Sequence, residues 1–223
     1  MNPALRSSAA HLFVQSLDAP EPDPDDAHHL FRVLRLRAGE VVTVTDGEGR
    51  WRATEVVGRS LRPLGDPVAE PAMPALTIAS AIPKGDRAEW MVQKLTEIGV
   101  SEIVFLHCTR SVVHWEGERG VRQLHRCRRV AREAAMQSRR VWLPRVAGPE
   151  TFASIVRRPG TVLAEPGGES PSSLTSVPTT VVIGPEGGFT ADELAVGVPL
   201  VRLGTTVLRV ETAALVAAVK FIL

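Results

Sequence analysis

Residues 76–106 constrain the fold more than any other part of the chain, because they alternate a strand, a helix and a strand. The apolar runs at residues 76–82 (LTIASAI) and 103–106 (IVFL) are typical of buried strands. Between them, apolar residues recur at helical spacing over residues 88–98, and Gly99 ends the pattern. Two strands joined by one helix form a βαβ unit, so the sequence predicts an α/β fold with a parallel sheet and right-handed crossovers.

Further elements of the same kind are predicted towards the carboxyl end of the chain. Strands are predicted at residues 161–164, 180–183 and 200–203. Two helix starts have the spacing of a capping box, Asp86 with Glu89 and Thr190 with Glu193. A last helix is predicted from Glu211 to the end of the chain.

The amino-terminal part of the chain has a different pattern, made of short β-like runs. Residues 41–45 and 51–57 are two such runs, and the Asp-Gly and Glu-Gly turn signals between them predict a hairpin. Residues 65–74 carry three prolines and a glycine, which predicts a linker. We therefore expect a small, mostly β domain at residues 1–70 and an α/β domain at residues 75–223. The first is too small to be an enzyme by itself.

The composition bounds the class of protein and its compartment. Neither an apolar run that could span a bilayer nor a signal peptide is present, so we expect a cytoplasmic protein with no membrane partner. Two cysteines cannot build the disulfide framework of a secreted domain. Of the 26 basic residues, only Lys84, Lys94 and Lys220 are lysines. Arginine suits contacts with phosphate groups, although a GC-rich genome would produce the same excess.

Three predicted strands run directly into loops of unusual composition, at residues 165–168, 184–188 and 204–206. Ligands of parallel sheets bind at the carboxyl ends of strands, and glycine lets the backbone approach a ligand closely. No P-loop or dinucleotide fingerprint is present, and the loop carboxylates Glu165 and Glu186 would repel a phosphate chain. A nucleoside-like ligand with a positive charge, such as S-adenosylmethionine, suits these loops, although each loop alone could be a simple turn.

Residues 119–145 form a basic segment with nine arginines and one acid, Glu133. On a helical wheel, one apolar stripe comprises Val121, Leu124, Cys127, Ala131, Ala134 and Ala135. The opposite side carries Arg122, Arg126, Arg129 and Arg132. Solvated helices usually mix charge signs, so we predict contact with an RNA backbone in preference to a plain solvated face. The acidic, proline-rich residues 18–26 are expected to form a surface loop.

Histidines and cysteines occur close together without the spacing of a metal site. His107 precedes Cys108, and His114 follows a few positions later. His125 is two positions from Cys127, which places their side chains on different faces of a helix. No CxxC or HxxxH set is present, so we expect no metal. Cys127 is expected to pack in the core and to be unreactive.

Several motifs of the chain occur together in one known family. They are residues 29–35 (HLFRVLR), 84–86 (KGD), 93–100 (QKLTEIGV), 183–189 (IGPEGGF), 203–204 (LG) and 208–214 (LRVETAA). With these motifs in this order, the chain resembles the ribosomal RNA small-subunit methyltransferase E family, which belongs to the SPOUT class. The resemblance spans residues 28–216, nearly the whole chain, and its most specific parts are GPEGG and LR-x-ETA.

The resemblance implies both a fold and an activity. The fold would be a SPOUT methyltransferase domain, with a parallel sheet and a trefoil knot that holds S-adenosylmethionine, preceded by a small PUA-like β-barrel that contacts RNA. The activity would be methylation of N3 of a specific uridine in 16S ribosomal RNA by a homodimer. Two alternatives stay open, namely a SPOUT enzyme that methylates another RNA position and a non-catalytic RNA-binding protein with the same knot.

The resemblance, together with the basic segment, also points to individual site residues. Cofactor contacts are expected from Leu163, Glu165, Ile183, Gly184, Pro185, Gly187, Gly188, Leu203, Gly204, Leu208 and Thr212. RNA contacts are expected from Arg6, Arg32, Arg35, Arg110, Arg122, Arg126 and Arg129. The candidate catalytic residues are Arg209 and Glu186.

Arg209 is the residue to which a chemical role can be given. Uracil N3 must lose its proton before methylation, and a nearby cation would stabilise the resulting anion. Arg209 is expected to supply this charge or to orient the RNA; its alternative role is a salt bridge to Glu186 or Glu211. No general base can be identified from the sequence. The chain departs from the family pattern at three positions, Thr109, Met136 and Val210.

Overall fold

The computed structural model describes residues 2–72 and 74–222, and these residues form two compact units. The first unit contains residues 2–72 together with residues 132–143 from the middle of the chain. The second unit contains residues 74–131 and 144–222. Met1, Met73 and Leu223, which belong to the predicted domains, linker and last helix, lie outside the described residues.

The first unit is built on a four-stranded mixed sheet. Its strands are β1 (Ala10–Phe13), β2 (Val41–Thr45), β3 (Arg50–Val57) and β4 (Ser60–Ala69), in the order β1-β2-β3-β4. Strands β1 and β2 are parallel, and the other two pairs are antiparallel. The predicted hairpin between residues 41–45 and 51–57 is confirmed. The core of the unit includes Leu12, Leu30, Val42, Val44 and Val56.

Two sequence predictions for this unit are wrong. The predicted linker begins inside a strand, because β4 continues through Pro63 and Pro67 to Ala69. Strand β4 is at the edge of the sheet, where a proline interrupts no ladder of hydrogen bonds. The acidic residues 18–26 are not only a surface loop, since they lead into helix α2 (Pro24–His28).

Helix α2 begins where the local chemistry favours a helix start. The Asp23 side chain accepts a hydrogen bond from the amide of Asp26, and Pro24 occupies the first helical position. Asp26 is buried and forms ion pairs with Arg132 at 2.5 Å. The unit also contains a short helix α1 (Pro3–Ser7) and a π-helix (His29–Val33).

The second unit contains a six-stranded, fully parallel sheet. Its strands are β5 (Thr77–Ala81), β6 (Glu102–His107), β7 (Arg145–Thr151), β8 (Thr161–Glu169), β9 (Thr180–Ile183) and β10 (Leu200–Val201). Their order is β10-β8-β9-β5-β6-β7, and every pair is parallel. The predicted α/β class and parallel sheet are confirmed. Strand β7 was not predicted, because its Gly148-Pro149 pair is untypical of a strand; it lies at an edge.

Helices cover both faces of this sheet. They are α3 (Arg87–Ile98), α4 (Gly117–Gln137), α5 (Phe152–Ile155), α6 (Ala191–Leu194) and α7 (Val210–Ile222), with a short 3-10 helix at Pro171–Ser173. Alternation along β5 sends Ile78 into one apolar cluster with residues of α3 and α7. The next residue, Ala79, belongs to a second cluster with Phe152 and Phe189. No helix among the described residues has both the length and the apolarity to cross a membrane.

The predicted helix ends can be compared with the caps in the structure. Helix α3 ends at Gly99, whose φ of 115° is left-handed, as the sequence predicted. The Thr190–Glu193 capping box is present at the start of α6. The prediction of an Asp86–Glu89 capping box is wrong, because Asp86 makes no side-chain cap hydrogen bond and Glu89 forms an ion pair with Arg126 instead.

The apolar stripe of α4 is only partly as predicted. Cys127, Ala131, Ala134 and Ala135 are buried, and Leu124 packs against the core. Val121 is 65% exposed, so its assignment to the buried stripe is wrong. It lies near the amino end of the helix, one turn before the stripe meets apolar neighbours.

A buried histidine links strand β1 to residues 132–143 within the first unit. His11 is 2% exposed; its Nδ1 is 2.9 Å from the Thr43 hydroxyl, and its Nε2 is 3.1 Å from the Arg140 carbonyl. Nε2 donates to that carbonyl, so Nδ1 of the neutral ring accepts from Thr43. Burial lowers the pKa of His11 to about 4; the charge of Arg139 acts in the same direction, and the bond to Arg140 opposes it.

We predict that His11 makes the first unit less stable in acid. The unfolded ring takes up a proton near pH 6.5 and the folded ring only near pH 4, so stability present above 6.5 is lost as the pH falls towards 4. The loss is at most about 3 kcal/mol. Hydrogen exchange of the β1 and β2 amides across this interval measures it. His11→Gln, which cannot titrate, should show a shallower pH dependence; equal dependence in both proteins would refute the assignment.

Candidate functional site

The main candidate site is a cleft in the second unit, at the edge of the sheet where β9 and β10 end and beside β8. Three segments form its walls, namely residues 164–166, residues 183–189 without Gly187, and parts of residues 203–213. The cleft has an empty volume of about 680 Å³, which includes solvent at its open mouth. It therefore lies where parallel sheets bind their ligands.

The cleft brings together most of the residues predicted to contact a cofactor. The predicted residues that line it are Glu165, Ile183, Gly184, Pro185, Gly188, Leu203, Gly204 and Leu208, together with the catalytic candidate Glu186. Leu163 does not line it, because its side chain is fully buried in the core. Gly187 and Thr212 also lie outside the lining. The role of each residue in cofactor contact stays a prediction.

Several lining residues were not predicted individually. They are Ala164, Pro166, Phe189, Thr206, Val207, Val210 and Ala213. Thr206 belongs to a loop that the sequence had singled out for its position after a strand. Val210 and Ala213 begin helix α7, and only the packing of that helix brings them to the cleft. Their apolar side chains carry no sequence signal that separates a pocket wall from core.

Two carboxylates, those of Glu165 and Glu186, line the cleft. None of the described residues that line it has a basic side chain. Glu186 is held at its rim by Lys84, with 3.1 Å between the Lys84 Nζ and a carboxylate oxygen. Glu165 is partly buried in the wall and has no ion-pair partner in the described part of the chain. The wall is thus suited to a neutral or positively charged ligand.

Arg209 does not line the cleft, but in the chain it lies between two residues that do, Leu208 and Val210. Its side chain is exposed and forms no ion pair within residues 2–72 and 74–222. The salt-bridge alternative for Arg209 is not seen, since both carboxylates have other partners. Glu186 pairs with Lys84, and the buried Glu211 pairs with Arg87 at 3.4 Å.

The loop at residues 184–189 is fastened to the protein at its far end. Phe189 is buried in the core, and a Cβ on Gly184 would approach its ring to 3.0 Å. The buried Glu193 accepts hydrogen bonds from the amides of Thr190, at 2.8 Å, and Thr109, at 2.9 Å. Burial opposes ionisation of Glu193, but the bonds from Thr109 and Thr190 outweigh it, so its pKa lies below the ordinary value.

The arginines predicted to contact RNA are distributed over both units. Arg6, Arg32 and Arg35 are exposed on the first unit, and Arg122, Arg126 and Arg129 are exposed on helix α4. Arg122 forms an ion pair with Glu118, and Arg126 forms one with Glu89. Exposed ion pairs contribute little free energy, so a phosphate group can replace the carboxylate. Arg110 is exposed as well and is hydrogen-bonded to the 184–189 loop.

Other arginines of the basic segment hold the fold together. Arg128 donates to the carbonyl of Val146 at 2.9 Å, and Arg139 donates to that of Ser8 at 2.9 Å. Arg132 is partly buried and pairs with Asp23 and Asp26, so its placement on an open RNA-facing side is wrong. The positive run in the sequence therefore overstates the surface available to RNA.

His107 and the two cysteines are part of the packing and hydrogen bonding of the fold. The Nε2 of His107 accepts a hydrogen bond from the Trp115 amide at 3.2 Å. Burial raises the pKa of the Cys108 and Cys127 thiols to about 12, which keeps both protonated and unreactive. In the described part of the chain, no three His, Cys, Asp or Glu side chains are grouped to hold a metal ion.

We predict that Gly168 is required for the wall formed by β8 and β10. A Cβ at this position would lie 2.6 Å from the backbone of Leu200 and Val201, so Gly168→Ala forces the two strands apart. The expected loss of stability is about 1–3 kcal/mol, measured by urea unfolding. The matched control is Gly167→Ala, because a Cβ there meets nothing within 4 Å. Equal stability of the two variants would contradict the close approach of the β8 and β10 backbones at Gly168.

The chain matches two family models. One is described as an RNA methyltransferase domain and matches residues 70–221. The other is described as an RNA methyltransferase PUA domain and matches residues 22–61. Together they cover most of the chain and both of its units.

Curated relatives and a solved structure agree with these models. The ribosomal RNA small subunit methyltransferase E of Mycobacterium bovis is 35% identical over 216 residues, which covers 87% of this chain and 82% of the relative. The Bacillus subtilis protein of the same name is 29% identical over 219 residues, or 86% and 85% of the two chains. A Legionella pneumophila methyltransferase, solved with bound cofactor SAM, gives a TM-score of 0.82 at 25% identity over 95% of this chain and 96% of that chain.

Proposed function

This chain belongs to the ribosomal RNA small subunit methyltransferase E family, and on that premise we propose that it transfers a methyl group from S-adenosylmethionine to N3 of a uridine in 16S ribosomal RNA. The observation that carries the proposal is the cleft at the strand ends, which is walled by the GPEGG loop and by the LR-x-ETA segment. Both motifs belong to the resemblance found in the sequence.

The cleft suits S-adenosylmethionine in its lining and in its charge. Leu203, Leu208 and Phe189 offer apolar surface for an adenine ring, and the glycines leave backbone groups accessible. When bound, the cofactor supplies an electrophilic methyl group on a positively charged sulfur. Glu165 is negatively charged, and none of the described residues that line the cleft is basic, so the wall does not repel the positive charge of the sulfur.

We assign to Arg209 the role of acting on the uracil. It lies in the chain between two residues that line the cleft, and its exposed side chain has no ion-pair partner among the described residues. A cation there stabilises the negative charge that uracil gains when N3 loses its proton. Alignment of N3 with the methyl group supplies much of the remaining acceleration. The ion pairs Lys84–Glu186 and Arg87–Glu211 keep the neighbouring carboxylates from neutralising Arg209.

The exposed arginines provide the RNA contacts in this proposal. Arg122, Arg126 and Arg129 follow one another at helical spacing on α4, and Arg32 and Arg35 lie on the first unit. Each phosphate that they neutralise releases counterions, so binding should weaken as salt increases. The substrate is ribosomal RNA, which keeps the cytoplasm as the expected location.

A homodimer is part of the proposal, and helix α7 is its expected interface. This helix is apolar along most of its length, and Leu215, Val216 and Ile222 are only partly buried. Val219 on α7 is 45% exposed, and Trp90 on α3 is 44% exposed. Exposed apolar side chains of this kind favour contact with a second copy. The trefoil knot that the resemblance implies stays a prediction.

Cofactor binding is predicted to depend on the cleft and can be tested at its rim. Thr206 is exposed and lines the cleft, whereas its exposed neighbour Thr205 does not. Thr206→Trp should therefore weaken S-adenosylmethionine binding by about tenfold or more, because the indole occupies part of the site. Isothermal titration measures the effect, with Thr205→Trp as the matched control. Equal affinity of the two variants would place the cofactor elsewhere.

Arg209 is predicted to be needed for chemistry and not for cofactor binding. Arg209→Ala should lower methyl transfer to small-subunit ribosomal RNA by about a hundredfold or more, while titration with S-adenosylmethionine is unchanged. Arg209→Lys, which keeps the charge, should retain part of the activity. Transfer is measured with labelled cofactor, and nucleoside analysis of the product should identify 3-methyluridine.

The same assay separates the two alternative functions. Methylation of another nucleoside would favour a SPOUT enzyme with a different RNA target. Cofactor binding without transfer to either free RNA or small subunits would favour a non-catalytic RNA-binding protein. Loss of cofactor affinity in Arg209→Ala would contradict the assigned role of Arg209.

A further inference from the structure

The segment between β6 and α4 is attached to the loop at residues 184–189 by one side chain. The Nη1 atom of Arg110 donates hydrogen bonds to the carbonyls of Gly187 and Phe189, each at 3.1 Å. The aliphatic part of Arg110 also packs on Gly187, since a Cβ built there would lie 3.3 Å from the Arg110 Cβ. Both protons of one nitrogen are thus engaged by the backbone of the loop.

The two residues before Arg110 are held in place by hydrogen bonds, which fixes the position of the Arg110 backbone. The amide of Thr109 donates to Glu193, and the amide of Cys108 donates to the Ser111 hydroxyl at 2.9 Å. Cys108 is buried in the same apolar cluster as Phe189. Arg110 therefore spans from an anchored segment to a loop that otherwise presents exposed backbone at Glu186 and Gly187.

The loop that Arg110 holds is a wall of the cleft. Pro185, Glu186, Gly188 and Phe189 line the cleft, and Arg110 binds the carbonyls of Phe189 and of Gly187, which lies in the chain between two lining residues. Glycines in this loop give it conformational freedom, which makes an ordered wall costly without external support. Two charge-assisted hydrogen bonds from one guanidinium provide that support.

We propose that Arg110 is a positioning residue that holds the 184–189 loop in its cofactor-binding conformation, and that its part in the reaction is exerted through this loop. The inference rests on the proposed function, because the ligand whose binding it controls is S-adenosylmethionine. It revises the expectation that Arg110 contacts RNA.

The test compares cofactor affinity with RNA affinity in matched variants. Arg110→Ala should weaken S-adenosylmethionine binding about ten- to hundredfold, because two hydrogen bonds to a charged donor are lost. Arg110→Lys retains a cationic donor and should recover part of the affinity. Arg157→Ala removes an exposed arginine of the same unit that lies outside the cleft, and it should bind the cofactor as the unmodified protein does.

Further readouts separate positioning from a general effect on folding. With Arg110→Ala, the KM for S-adenosylmethionine should rise while kcat at saturating cofactor is retained, and the amides of the 184–189 loop should exchange faster. The affinity for small-subunit ribosomal RNA and its salt dependence should not change. If Arg110→Ala does not fold, Arg110→Met takes its place, since it keeps the length of the side chain and loses the donors; an unchanged KM for S-adenosylmethionine in that variant overturns the proposal.

The opposite results identify the alternatives. Unchanged cofactor affinity together with weaker RNA binding and a smaller salt slope would overturn the inference and make Arg110 an RNA contact. An unmodified protein that fails to bind S-adenosylmethionine would overturn the proposed function itself. That failure is visible before any variant is measured, so the two outcomes are distinguishable.

Discussion

The candidate site depends on the parallel pairing of β8 with its two neighbours, β9 and β10. In the β8–β9 register Ala164 lies opposite Ile183, where β9 ends while β8 continues to Glu169, so the loop after β9 starts beside residues 164–166 of β8. Gly168 has no side chain, which lets β10 approach β8 closely enough to bring Leu203 to the same edge. Because parallel strands end at one edge, a single pairing pattern assembles a cleft from three distant parts of the chain.

Electrostatic pairing then determines which charges remain available at that edge. Glu186 and Glu211 are each held by a basic residue of the segment after β5, and Glu193 is held by backbone amides. Arg209 has no such partner among the described residues, so no ion pair neutralises its charge there. Arg110 carries the same charge but donates to loop carbonyls, so it contacts the wall of the cleft from outside without lining it.

Most of the sheet was predictable because its signals are local. The apolar runs around Ile78 and Ile103 and the helical spacing between them lie within one short stretch, so the βαβ unit could be predicted without tertiary information. Strands β7 and β4 were not predicted because both contain proline, which is tolerated there since each strand is at an edge. Whether a strand is at an edge depends on the assembled sheet.

The sequence by itself determined the α/β class, the glycine-rich loop at residues 184–188 and the family, because each of these follows from spacing or motifs along the chain. The loop predicted at residues 165–168 is wrong, because these residues lie inside β8, which continues to pair with β10. Only the tertiary structure decided which arginines are exposed and which stabilise the fold. The hydrogen-bond partners of Arg132 are separated from it by up to 119 residues, and those of Arg110 by up to 79. A charge acts through the groups that fold next to it, and those neighbours are set by packing of segments that are far apart in the chain.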